Sequence, residues 1–173
     1  MPAWRNRIVG VGEERPDQLL ANPHNWRVHP RSQQNALSGV LDEVGWVDQV
    51  IVNRTTGHVI DGHLRVSLAL RRNEPTVPVL YVELSEEEEK LILATFDPIG
   101  AMATADSEKL EELLRDVQTG NAAVQEMLNE RMSRLQVSDK LDGPGESNAD
   151  GGKYVECPMC GYRWQYDSSA GFP

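Results

Sequence analysis

The chain has 173 residues, a formal net charge of −10 and 39% hydrophobic residues, which suits one domain of ordinary size plus a small appendage. So acidic a composition excludes a protein that grips nucleic acid over its whole surface. The charge is uneven, however: residues 1–72 hold nine Lys or Arg against seven Asp or Glu, for +2, and residues 73–173 hold eight against twenty, for −12. A polyanion would meet the amino-terminal half, whose cations are all arginines suited to bidentate phosphate contact. The stretch Met1–Arg7 lacks the apolar core of a signal peptide and no apolar run approaches a membrane span, so no membrane contact and a cytoplasmic location are expected.

Arg7 to Gly12 reads as a first strand, and Pro16 opens a short helical turn. Asn22 to Pro30 holds two prolines and two asparagines and must be a loop, which also carries His24, Trp26, Arg27 and His29. Such a loop can rest a base or a phosphate. Trp26 is expected to plug the core beneath it. Leu37, Val40, Leu41 and Val44 recur at helical spacing and predict a packed helix from Pro30 to Val44, ended by Gly45.

Val50–Val52 and Val59–Ile60, joined through Thr56-Gly57, predict an antiparallel hairpin. The chain then turns at Gly62 into a helix marked by Leu64, Leu68 and Ala69 and closed by Asn73 to Pro75. Val77–Val82 is a further strand, in which Pro78 implies an edge or a strand start. Ser85 with Glu88 forms a capping box, and the run of four glutamates reads as carboxylates at a helix N-terminus rather than as a metal site. That helix is expected to reach about Thr95 and to stop at Asp97-Pro98. Thr104 or Asp106 starts another, with Leu110, Leu113, Leu114 and Val117 inward. Thr119-Gly120-Asn121 leads into a last helix from Ala122 to about Leu135, with Val124, Met127, Leu128 and Leu135 facing the core or a partner. The pair makes a helical hairpin, read as a packing or dimerisation element because the outer face of its second helix has mixed charge. Val137 to Lys153 has the composition of a linker.

The corner at Gly62 allows two readings. A helix starting there aims unpartnered N–H groups and the positive end of its dipole forward, and His63 and Arg65 could join them around an anion. Alternatively it is a structural turn with Asp61 or Gly62 as N-cap.

After the linker, Cys157-Pro158-Met159-Cys160-Gly161 is similar to one knuckle of a zinc ribbon flanked by short strands. It is half a site, since the chain has no third cysteine. Two chains pairing would complete a structural zinc site of four sulfurs. A redox pair and a ribbon without metal are the alternatives.

Four ordered blocks resemble the ParB/sulfiredoxin-like N-terminal domain: Leu19 to Pro30, Gly45 to Val52, Ile60 to Arg65 and Val77 to Val82. The resemblance, strongest for ParB-like proteins of phages and mobile elements found beside DNA methyltransferases, implies an α+β fold. Its parts are a small mixed sheet with packed helices, a helical hairpin and a short β tail similar to a zinc ribbon. The implied division is 1–104 for the ParB-like domain, 105–136 for the hairpin, 137–153 for the linker and 154–173 for the tail. In the partition proteins the corner binds a cytidine nucleotide, which implies nucleotide or nucleic-acid phosphate contacts from Arg27, Gly62, His63 and Arg65. A nucleoside triphosphate with magnesium, a structural zinc on Cys157 and Cys160, DNA or a DNA methyltransferase as partner, and a homodimer through the knuckle are implied with it.

The sequence departs from the family at two places. Thr95 to Gly100 stands where the partition proteins carry a Glu-Asn or Asp-Asn box, which puts hydrolysis in doubt, and His63 stands where sulfiredoxins need cysteine. A nucleotide triphosphatase or nuclease would have to use Asp61 and Asp97, with His63 as base. A protein-interaction adaptor that has lost the ligand is the third alternative.

Overall fold

The computed structural model describes residues 3–141 and, as backbone, two short strands at 154–156 and 163–165. In chain order the elements are β1 (Ile8–Glu14), a 3-10 turn (Pro16–Gln18), α1 (Arg31–Glu43), β2 (Val50–Asn53), β3 (Val59–Asp61) and α2 (His63–Arg72). There follow β4 (Val77–Val82), α3 (Glu86–Ala101), α4 (Ser107–Asp116), α5 (Ala122–Leu141), β5 (Tyr154–Glu156) and β6 (Arg163–Gln165).

The first four strands form a mixed sheet in the order β1-β4-β2-β3. β4 runs antiparallel to β1 and parallel to β2, while β2 and β3 form the antiparallel hairpin expected from Thr56-Gly57. Alternation along the strands feeds two cores. Val50, Val52, Val59, Val77 and Val79 pack with Val66 and Ala69 of α2. Ile51, Ile60 and Val82 meet Leu84 and, from α3, Ile92 and Leu93. The sheet is thus covered by α2 on one face and α3 on the other, and α1 packs against α2 and α5. β5 and β6 pair antiparallel, Tyr154 opposite Gln165.

Of the two positions that Pro78 implies, the strand start is the one observed: β4 is an interior strand, and Pro78 is its second residue, level with Glu13 of β1, with pairing to β2 beginning only at Val79. Several expectations need correction. α3 does not stop at Asp97-Pro98 but continues to Ala101 with Pro98 inside it. The carbonyl that loses its donor is that of Ala94, and both residues are exposed, so water can replace the missing bond. α4 buries no residue, and Leu113 and Val117 are exposed although their spacing predicts a core face. α5 runs past Leu135 to Leu141, into the stretch expected to be a linker, of which residues 142–153 lie outside the described residues.

Candidate functional site

The corner between β3 and α2 is built around Gly62. Its φ of 96° lies in the left-handed region, and a Cβ there would stand 3.1 Å from the Val50 Cα. With no side chain at this position, α2 has no side-chain cap, and no acidic residue sits in its first turn. The first helical hydrogen bond is Val66 N–H to the Gly62 carbonyl, so the N–H groups of His63, Leu64 and Arg65 precede the ladder. The later helices differ. Ser85, Asp106 and Asn121 each accept a backbone N–H at the start of α3, α4 and α5. Of the two N-cap readings made from sequence, Gly62 is the one observed.

In front of this corner lies a cleft of about 120 Å³. Arg27, Asp61, Gly62, His63, Arg65 and Asp97, all singled out from sequence, line it together with His29, Gln33, Leu37 and Phe96. The side chains come from the loop before α1, from α1, from the β3–α2 corner and from α3.

Each cation in the cleft already faces a carboxylate. Arg27 pairs with Asp97, and Arg65 pairs with Asp48 and, at 3.2 Å, with Asp61. The Arg27 guanidinium also lies 5.8 Å from the centroid of the Trp26 ring. Trp26 itself is 59% exposed and corrects the expectation of a core plug. Its indole N–H donates to the Leu93 carbonyl at 3.1 Å, which hooks the ring to α3 at the cleft wall and leaves its face to solvent.

His63 is held neutral. Burial pushes it below the ordinary imidazole range; Asp61 pulls the other way, and His29 and Arg27 add to the depression. Its Nε2 accepts the Asn22 backbone N–H at 3.3 Å, so the ring proton resides on Nδ1. A neutral ring with Nε2 occupied offers the cleft a donor, not a base.

The loop that carries Arg27 is tied down residue by residue. The Asn25 N–H donates to the Asn22 carbonyl at 3.1 Å, the Arg27 N–H to Asn25 Oδ1 at 3.2 Å, and Gln34 Nε2 to the His29 carbonyl at 2.8 Å.

Sequence reasoning missed Phe96, and it missed a buried carboxylate beneath the loop, Glu89. The signal for both was present: Glu89 and Leu93 are the buried positions of α3, Phe96 continues their helical phase to the cleft wall, and of the four consecutive glutamates Glu89 is the one in phase with Leu93. Cys157 and Cys160 lie outside the described residues. Among the described residues no three His, Cys, Asp or Glu side chains converge as a metal site, and no helix is long and apolar enough to cross a membrane.

In structure the chain is similar to the C-terminally truncated chromosome-partitioning protein ParB from Caulobacter crescentus complexed with CTP-gamma-S. The TM-score is 0.53 at 22% identity, over 78% of this chain and 88% of that one. The fold is ParB-like. Two structures of a pNOB8-like ParB N-domain give TM-scores of 0.44 and 0.46 at 15% and 14% identity. They cover 93% and 95% of this chain and 59% and 56% of theirs. No family model matches the chain, and no curated protein matches it in sequence. On this ParB-like fold the cleft sits where β3 turns into α2, walled by the 22–30 loop and α3.

Proposed function

We propose that the chain is a DNA-associated module whose cleft holds the phosphates of a nucleoside triphosphate. The observation that carries this reading is the convergence of Arg27, Arg65, the His63 ring donor and the uncapped N-terminus of α2 on one small cleft. These are the groups that recognise a phosphate chain. The Caulobacter ParB of similar fold is complexed with CTP-gamma-S, which suggests the ligand class.

The size of the cleft supports a division of labour. At about 120 Å³ it is smaller than the roughly 300–1,000 Å³ of sites that enclose a whole small molecule. It suits the phosphates, and the nucleoside would rest outward on Trp26 and Phe96, which are 59% and 51% exposed. Asp97 and Asp48 occupy the arginines meanwhile, and a triphosphate with magnesium would displace them. Binding is favoured over hydrolysis by the same geometry: Asp61 and Asp97 face arginines, and His63 Nε2 is already an acceptor.

The finer parts of the reading follow from the sequence. Cys157 and Cys160 supply two thiolates for a structural zinc, which two chains would complete as a dimer. The module would serve DNA processing or modification in a phage or mobile element, with a DNA methyltransferase as working partner. Isothermal titration of the full chain with CTP, ATP and GTP in the presence of magnesium tests the central claim. Saturable binding to one nucleotide, lost in Arg65→Ala and in Arg27→Ala with the circular dichroism spectrum unchanged, is expected. Absence of heat with all three would refute it and favour a ligand-free adaptor.

A further inference from the structure

Of the four glutamates that open α3, Glu88 closes the capping box with Ser85, while Glu86 and Glu87 are exposed. Glu89 is 4% exposed, and its two oxygens are filled by side chains from two other segments. Oε1 accepts from Asn22 Nδ2 at 2.7 Å, with His58 Nδ1 3.4 Å away. Oε2 accepts from Asn53 Nδ2 at 2.6 Å and from Thr56 Oγ1 at 2.5 Å. Burial raises this carboxyl, but the four partners outweigh it, so it titrates below the ordinary glutamate range.

The donors are unable to turn round. Asn22 Oδ1 accepts the His24 N–H at 2.9 Å, and Asn53 Oδ1 accepts the N–H groups of Thr55 and Leu84 at 3.2 and 3.0 Å. Each amide must therefore present its nitrogen to Glu89. Thr56 Oγ1 accepts the His58 N–H at 3.3 Å, which leaves its proton for the carboxylate. Three fixed donors thus meet two oxygens. A carboxylate satisfies all of them, whereas a glutamine would set its NH₂ against a donor in either orientation.

From Asn22 two routes lead into the cleft. Its backbone N–H donates to His63 Nε2 and fixes the proton on Nδ1. Its carbonyl accepts the Asn25 N–H, and Asn25 Oδ1 accepts the N–H of Arg27. We propose that Glu89, which does not line the cleft, is a positioning residue for it. Through Asn22 it latches the 22–30 loop in the conformation that presents Arg27 and His63 to an anion. The inference rests on the nucleotide reading only for what the cleft binds.

The test uses the full chain with Glu89→Gln and with Asn22→Ala. The second variant leaves Glu89 bonded to Asn53 and Thr56, so it reports on the latch even where the first fails to fold. Amide hydrogen exchange is compared between residues 22–30 and strands β2 and β4, and CTP, ATP and GTP are titrated with magnesium. In both folded variants exchange at Asn25 and Arg27 is expected to speed by about tenfold while the strands keep their protection, and nucleotide affinity to fall by about tenfold. Unchanged exchange in the loop of Asn22→Ala overturns the latch. So does an equal rise across loop and strands in both variants, which would make Glu89 a support of the fold alone. Where the wild-type chain binds none of the three nucleotides, the nucleotide reading fails and the exchange comparison still decides the latch.

Discussion

Replacing Gly62 by alanine separates two costs that the corner combines. The residue has a φ of 96°, and a non-glycine residue in left-handed backbone costs about 1–2 kcal/mol. A Cβ there would also lie 3.1 Å from the Val50 Cα, 3.2 Å from its Cγ2 and 3.4 Å from Arg65 Nη1. Val50 is fully buried in the central strand pair, so β2 has no room to yield, and overpacking of this kind costs a further 1–3 kcal/mol or so. Gly45 supplies the control: its φ is 89°, and a Cβ there would meet nothing within 4 Å. Gly45→Ala should therefore lose about 1–2 kcal/mol from strain alone, and Gly62→Ala about 2–5 kcal/mol. Urea unfolding followed by circular dichroism measures both, and a difference of 2 kcal/mol also separates the melting temperatures by about 4–8 °C in a domain of this size. If the two variants fall within about 0.5 kcal/mol of each other, the close approach of Gly62 to β2 carries no energy and the reasoning fails.

Two further outcomes test the electrostatics of the cleft. Because His63 titrates below the ordinary imidazole range, its contribution to stability is complete above the unfolded value of about 6.5 and is lost as pH falls toward its folded value. Glu88 and Glu89, both depressed, add a second loss only as pH falls below about 4.3. Melting temperature against pH should thus decline in two stages, and His63→Gln should flatten the first; a wild-type profile flat between about pH 5 and 6.5 would contradict it. Asp97→Asn removes the anion that occupies Arg27 and should tighten nucleotide binding several-fold in a titration, whereas weaker binding would show that Asp97 contacts the ligand or its magnesium.

Much of the fold was legible because local pattern and tertiary demand agree. The apolar β-branched run of β2, the Thr56-Gly57 turn and the single glycine before a helical run specify the hairpin and the corner without long-range information. What escaped depends on the third dimension. Pro98 breaks a helix by its chemistry, yet α3 continues because the carbonyl left unpaired is exposed. Trp26 reads as a core residue by size, but its N–H finds the Leu93 carbonyl and holds the ring at the surface. The inward Glu89 was hidden in a run of like residues, where composition speaks of dipoles and only the phase against Leu93 speaks of burial.

The cleft shows why its residues could be chosen from sequence while their chemistry could not. A chain that places two arginines and an uncapped helix N-terminus in one pocket creates a local excess of positive potential, although its net charge is −10. Without a ligand that potential needs anions, and Asp48, Asp61 and Asp97 supply them from three separate elements. Asp61 and Asp97 therefore read from sequence as catalytic candidates, and in the structure they are the partners of the arginines that the proposed phosphate would meet. Their bonds are partly exposed and so individually weak. On the proposed reading, a cleft stabilised in this way would exchange one set of anions for another instead of closing around a vacant charge. Such an exchange would leave the fold intact in both states, provided the loop bearing Arg27 is held from beneath, where Glu89 accepts from its Asn22.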